Sequence, residues 1–325
     1  MIEAEKPSMA ESTSHRLTHF FLGLALFTGS WLTSVASGQT TPPPTPAVES
    51  NAAEPTKRIS RIATIGASAS AGYGVYFTRQ DDPGASPSGM SLAKLLRIAS
   101  AEQVVTIDLG TAAFFSNPTG IGTRLVNRAI QSKPDLTLAI DYLFWFTFGS
   151  VGVESARIRT VEDRLALLEV GLAQLDRITG PILVGDIPDM SSAEGRMLRK
   201  SQIPSSEAQQ RANDRIRAWV AARPNARFFP LRELIEQLRR GASFDIAGQT
   251  WTVADAKTLI LPDRLHPSLD GLIALVAAID EVLAADTALA AIRPTLEVDR
   301  RRLRTRVTGT KSTEPEIANE PAVTE

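Results

Sequence analysis

The chain has 325 residues, 43% of them hydrophobic, enough for one large or two ordinary domains with a proper core. Its 35 basic and 36 acidic residues leave a formal net charge of −1, which gives nucleic acid or an anionic membrane nothing to select on. Cysteine is absent and histidine occurs only at positions 15, 19 and 266, so disulfides and thiolate metal sites are excluded and zinc lacks its usual ligands.

The amino end reads as a targeting segment. Arg16 and His19 precede the apolar run Phe20-Phe21-Leu22-Gly23-Leu24-Ala25-Leu26-Phe27, and small residues follow at Ser34-Val35-Ala36-Ser37-Gly38, where a signal peptidase cuts. The expectation is a signal peptide over 1–38 and a periplasmic or secreted protein, with an uncleaved membrane anchor as the alternative. The run falls short of the ~20 apolar residues of a membrane span, so no stable span is expected after cleavage. Without cysteine there is no lipoprotein anchor. Residues 39–57 contain Thr41-Pro42-Pro43-Pro44-Thr45-Pro46 and read as a disordered linker.

Residues 58–304 show no repeat and no internal linker, and read as one domain. Apolar strand-like runs at 62–65, 104–109, 136–140, 182–184 and 227–229 alternate with helical patterns at 90–99, 122–131, 161–178 and 206–222. In the third of these helices Leu165, Leu168, Leu172, Leu175 and Ile178 share one face. Repeated strand–helix alternation predicts an α/β fold: three α/β/α layers around a parallel, flavodoxin-like five-stranded sheet. Sites in such folds collect at the carboxyl ends of the strands. A last helix is expected from near Pro267 to about Leu283, and a further one over 287–304 interrupted by Pro294. Arg300, Arg301, Arg302, Arg304 and Arg306 make its end cationic, either as a polyanion or membrane-surface patch or as a solvated helix end favoured by the dipole. The tail, 305–325, is rich in Thr, Glu and Pro and reads as disordered.

Once the leader is set aside, one histidine remains, in Asp263-Arg264-Leu265-His266-Pro267. Ser68 stands far upstream in Gly66-Ala67-Ser68-Ala69-Ser70-Ala71-Gly72, just past the first strand. A serine hydroxyl is not ionised near neutral pH and needs a base within hydrogen-bond reach, and that base needs a partner to hold its tautomer. His266 and Asp263 have the chemistry for those two roles.

These two segments resemble the first and last blocks of the SGNH, or GDSL, hydrolases. The first block, Gly-Asp-Ser-hydrophobic-Ser/Thr-x-Gly, is met at all but one position, and Asp263-x-x-His266-Pro267 with Gly271 fits the last block. Lys133-Pro134-Asp135-Leu136 is similar to the run before the family's third block, and the likeness covers about residues 60–285. The resemblance implies a serine esterase that cleaves a carboxylic ester through an acyl-Ser68 intermediate and needs no cofactor or metal, and export, expected from the leader, points to a lipid, acetylated glycan or cell-wall ester as its substrate. Ser68 is then the nucleophile, His266 the base and Asp263 its orienting acid, with the Ser68 N–H as one oxyanion donor.

The chain departs from the family in two places. Ala67 replaces the first block's aspartate, and the usual asparagine of the third block falls on or near Phe144, which has no donor. Other oxyanion or cleft candidates are Gly110, the nearest glycine after the second strand, Asn117 and Asp141. Asn117 otherwise reads as a turn residue before Pro118, and Asp141 as a cap for the loop that follows it. The aromatic run 142–148 lines a pocket or belongs to the core, and residues 185–190 should border the cleft. The altered third block leaves two alternatives: a degenerate member that binds a ligand without turnover, or an acyltransferase using the same triad. An α/β-hydrolase reading fails because Ser70 stands where Gly-x-Ser-x-Gly wants its second glycine.

Overall fold

The computed structural model describes residues 57–310 apart from Pro83, residues 150–157 and Arg159. The expected leader, all but the last residue of the linker, and residues 311–325 lie outside the described residues. In chain order the first half contains β1 (Arg61–Gly66), α1 (Ser68–Ala71), β2 (Tyr76–Phe77), β3 (Ser88–Gly89), α2 (Leu92–Ala99), β4 (Val105–Gly110), α3 (Pro118–Ser132), β5 (Leu136–Ala139) and α4 (Phe144–Phe148). Next come α5 (Val161–Leu175), β6 (Ile182–Gly185), α6 (Ser206–Ala221), β7 (Ala226–Phe229) and α7 (Leu231–Arg240). The chain closes with β8 (Phe244–Ile246), β9 (Gln249–Trp251), α8 (Val253–Ala256), α9 (Leu269–Ala285), α10 (Thr287–Ala290) and α11 (Arg300–Thr308).

The five expected strands form one parallel sheet in the order β4-β1-β5-β6-β7, the flavodoxin-like order, with β1 paired to β4 on one side and β5 on the other. Side chains alternate across it. Ile62, Leu136, Leu138 and Leu183 point into the core shared with α2, α7 and α9. Ala63, Ile65, Ala139, Ile182 and Val184 point into the core shared with α3, α4, α5 and α6. Helices thus cover both faces, which is why the strands read as continuous apolar runs.

Caps move several expected helix ends. α3 begins earlier, at Pro118, because the Asn117 side chain accepts from the Gly120 N–H. α9 begins at Leu269, not Pro267, because the Ser268 hydroxyl accepts from the Gly271 N–H and makes Ser268 the cap. The helix expected over 287–304 is two short ones, separated by a stretch in which Leu296 bridges to Ser100. α11 continues to Thr308 with Leu303 and Val307 buried against α2 and α9, so ordered structure passes the expected boundary at 304. Its arginines spend charge on carboxylates of this chain: Arg300 on Asp255 (2.6 Å), Arg304 on Asp270 and Arg306 on Glu297 (3.4 Å). No helix among the described residues is long and apolar enough to cross a membrane.

Asp186, just past β6, is almost fully buried and caps α7 by accepting the Arg232 N–H at 2.6 Å. Its other oxygen lies 3.5 Å from the Arg217 guanidinium, within ion-pair reach but without a hydrogen bond. Burial outweighs these contacts and pushes its pKa up to about 6. A carboxyl whose folded pKa is raised binds protons more tightly when folded, so this penalty is absent below the unfolded pKa of ~4 and complete above about 6. Asp186→Asn should therefore stabilise the protein at pH 7.5 by up to about 3 kcal/mol, and the gain should vanish by pH 4. Urea unfolding of both proteins at the two pH values checks this.

Candidate active site

β1 is buried over its last five residues and stops at Gly66. The chain then turns into α1, whose first residue is Ser68 and whose end is Gly72 at a φ of 68°. Ser68 is therefore held on a tight turn at the carboxyl end of a central strand.

Asp141 determines the shape of that turn. It follows β5, the neighbour of β1, and its buried carboxylate accepts the N–H groups of Ala67 (3.0 Å), Ala69 (2.9 Å) and Ser70 (3.1 Å) and the Ser70 hydroxyl (2.6 Å). The approach requires glycine at 66, where a Cβ would lie 2.0 Å from Asp141 Oδ1. Burial raises the Asp141 pKa above the ordinary carboxylate value against the pull of these four hydrogen bonds. The N–H groups of Ala71, Gly72 and Tyr73 bond to carbonyls within the turn. Among the described residues, the Ser68 N–H is the one from Ala67 to Tyr73 that meets no acceptor.

The histidine comes from a loop that folds back on itself. Leu261 N–H donates to the His266 carbonyl (2.8 Å), Ser268 N–H to that of Leu259 (2.9 Å), and Ile260 bridges Pro267. At the tip Arg264 takes a left-handed φ of 64°. This lets Asp263 Oδ1 accept the N–H groups of Leu265 (2.9 Å) and His266 (3.0 Å) while Oδ2 meets His266 Nδ1 at 2.7 Å. His266 Nε2 lies 2.8 Å from Ser68 Oγ. Burial alone would raise the Asp263 pKa, but its hydrogen bonds to Leu265 and His266 hold it below the usual carboxylate range. An ionised Asp263 selects the imidazole tautomer with its proton on Nδ1, leaving the Nε2 lone pair to receive the serine proton. His266 is 3% exposed, and the Tyr73 ring covers it at a centroid distance of 4.6 Å.

Ser68, His266 and Asp263, 198 residues apart at the extremes, are thus within hydrogen-bond distance of one another in series. Of the remaining candidates, Asn117 goes elsewhere, while Gly110 and Asp141 lie against the turn that carries Ser68. Asn117 is an exposed helix cap whose Oδ1 accepts the Gly120 N–H at 2.8 Å, so its side chain serves α3. Gly110 ends β4 against the nucleophile turn, where a Cβ would come within 2.7 Å of the Ala71 nitrogen. Asp141 caps the turn around Ser68 rather than its own following loop, because β5 lies beside β1. As an acceptor-only group held by four donors it has nothing to offer an oxyanion. Residues 142–148 are buried core, except that Phe144 also lines the cavity at Ser68.

That cavity measures ≈ 80 Å³, and Ser68, Asp141 and His266 are among its lining residues. Pro188 and Met190, from the segment expected to border the cleft, form part of its wall. Its other major wall is α7, which the sequence reading passed over; Leu231, Leu234, Ile235 and Leu238 at helical spacing are the signal that marks it. Tyr73 was also missed, since nothing in a lone tyrosine after a glycine foretells contact with a residue so distant in sequence. Among the described residues no cluster of three His, Asp or Glu side chains is placed to hold a metal.

No protein-family model matches the sequence, and no curated protein matches it. Solved structures do. An acetylxylan esterase from Geobacillus stearothermophilus is similar at 13% identity and a TM-score of 0.43, over 71% of this chain and 96% of that one. A lipolytic protein of the G-D-S-L family from Desulfitobacterium hafniense is similar at 10% identity and a TM-score of 0.41, over 69% and 99%. A gut microbial diltiazem-metabolizing enzyme is similar at 12% identity and a TM-score of 0.42, over 70% of this chain but only 47% of its own length. With likeness this low, function has to be read from the side chains of the site.

Asp141→Ala would leave three main-chain N–H groups without an acceptor, at a cost of ~1–3 kcal/mol each where buried. The expected outcome is a stability loss of more than about 3 kcal/mol. Asp141→Asn restores one acceptor oxygen but turns an NH2 toward the remaining donors, so it should recover less than half. Denaturant unfolding measures the loss. In variants that still fold, the rate at which a fluorophosphonate labels Ser68 should drop at least tenfold.

Proposed function

We propose that this protein is a serine ester hydrolase acting by acyl transfer to Ser68. The observation that carries the reading is the series Ser68 Oγ, His266 Nε2, His266 Nδ1, Asp263 Oδ2, with separations of 2.8 and 2.7 Å across its two hydrogen bonds. Ser68 Oγ attacks the ester carbonyl carbon as His266 Nε2 takes its proton. The imidazolium is stabilised by Asp263 and returns the proton to the departing alcohol. Water then attacks the acyl-serine, giving its proton to Nε2, and the carboxylic acid leaves with Ser68 restored.

The oxyanion needs donors. The Ser68 N–H, which meets no acceptor among the described residues, supports one such role at the start of α1. Phe144 lines this part of the cavity, and no amide or cationic side chain lines it among the described residues. Loss of one side-chain donor typically costs about 3 kcal/mol, which makes this a slower enzyme than a site with a full set. Export to the periplasm or the medium follows from the leader-like residues 1–38 and belongs to the same proposal.

Hydrolysis of p-nitrophenyl butyrate tests the reading. Ser68→Ala and His266→Ala should each lower kcat by at least a thousandfold, and Asp263→Asn by about a hundredfold to ten-thousandfold through the wrong tautomer. Fluorophosphonate should label the full chain at Ser68 and lose that label in His266→Ala. Equal rates in the wild type and Ser68→Ala would refute it.

A further inference from the structure

The cavity at Ser68 indicates which ester is cleaved. Apart from Ser68, Asp141 and His266, its lining side chains are apolar. Asp141 is already engaged with the nucleophile turn, and His266 with Asp263 and Ser68. Leu231, Leu234 and Leu238 of α7 form one wall and Ala274 and Leu275 of α9 another, with Met190 beside them. Leu231, Leu234 and Leu275 also belong to the buried core between the sheet and these helices, so the cavity is an extension of the hydrophobic interior.

On the proposed reading of the site as a serine esterase, we infer that this cavity holds the acyl chain and that the substrates are esters of medium-length aliphatic acids. The chemistry of the walls excludes a sugar there: each buried hydroxyl would lose its water partners and find none in exchange. An alkyl chain loses nothing on entry. The acyl group stays bonded to Ser68 through both steps, whereas the alcohol must take a proton from His266 Nε2 and leave. A pocket that Ser68 itself lines therefore suits the acyl side. Size sets the length. A cavity holds its first water at ~10–15 Å³ measured in this way, so ≈ 80 Å³ has room for several methylenes and exceeds what an acetyl methyl fills. The chain accommodated is of medium length, beyond acetyl. Phe144 adds an apolar face to the same lining and belongs with this preference.

The test is the kcat/KM of the full chain on p-nitrophenyl esters from acetate to palmitate. Each methylene that enters the cavity should raise kcat/KM by roughly fourfold at most. Hexanoate or octanoate should then exceed acetate at least tenfold, with no further gain beyond about ten carbons. Ala274→Phe, which projects a ring into the cavity, should lower the octanoate-to-acetate ratio at least tenfold. Leu234→Ala, which enlarges it, should move the maximum to longer chains, so a folding failure of either variant leaves the other and the wild-type profile to decide. A Ser68-dependent activity that is highest on acetate, or that prefers acetates of long-chain alcohols, would overturn the acyl-chain assignment while leaving the esterase intact. Absence of Ser68-dependent hydrolysis at every length would overturn both.

Discussion

The carboxylate of Asp141 is the contact on which the site depends. It follows the strand next to the one that leads into Ser68 and gathers three main-chain N–H groups and a hydroxyl of the Ala67–Ser70 turn. A buried charge of this kind is tolerated only when its lone pairs are filled, and here the turn itself fills them. The result is a local geometry in which the neighbours of Ser68 spend their donors inward. Its own N–H is left without an acceptor and its Oγ faces His266. Gly66 is part of the same device, since any side chain there would occupy the space of the carboxylate oxygen.

The sheet order makes that contact possible. With β1 central and β5 beside it, the loops after both strands emerge side by side at the carboxyl edge. The histidine loop arrives from much later in the chain and is stiffened by its own hydrogen bonds before it meets Ser68. Asp263 closes the loop and orients the imidazole with one carboxylate, Oδ1 binding the main chain and Oδ2 the ring. The pair is thus preorganised within four residues, and only the contact between Nε2 and Oγ must be made across the fold.

The same residues that stabilise the domain shape what the site accepts. α7 and α9 bury leucines and alanines against the sheet, and beside Ser68 the same helices line a cavity that the core leaves unfilled. An apolar gap costs stability, because its lining atoms lack partners on one side. On the proposed reading, an acyl chain that fills this gap beside Ser68 restores the missing contacts. Asp186 adds a second tension at the same place: it caps the start of α7 at the cost of a buried carboxyl whose pKa is pushed up to about 6.

Much of the architecture follows from the sequence alone. Strands buried on both faces must be continuous apolar runs, and the helices that cover them must carry apolar residues at helical spacing, so the five strands and the long helices other than α7 were legible within a few residues. The pairing of Asp263 with His266 was legible for a similar reason, since both ends of the contact lie on one short loop. The meeting of Ser68 with His266 was implied only by the resemblance, and the other contacts between distant segments were not legible. The local sequence around Asp141 says nothing of Ala67–Ser70, because that contact exists only once β5 lies beside β1. Asn117, with an amide suited to the cleft, instead caps α3, because the chain turns into a helix at Pro118. The cavity was invisible for the most general reason: each of its walls is an ordinary amphipathic helix or loop, and a void is a property of how far apart they pack. Local pattern therefore determined the elements and the reactive residues, whereas tertiary packing decided how the nucleophile turn is held and what the site has room for.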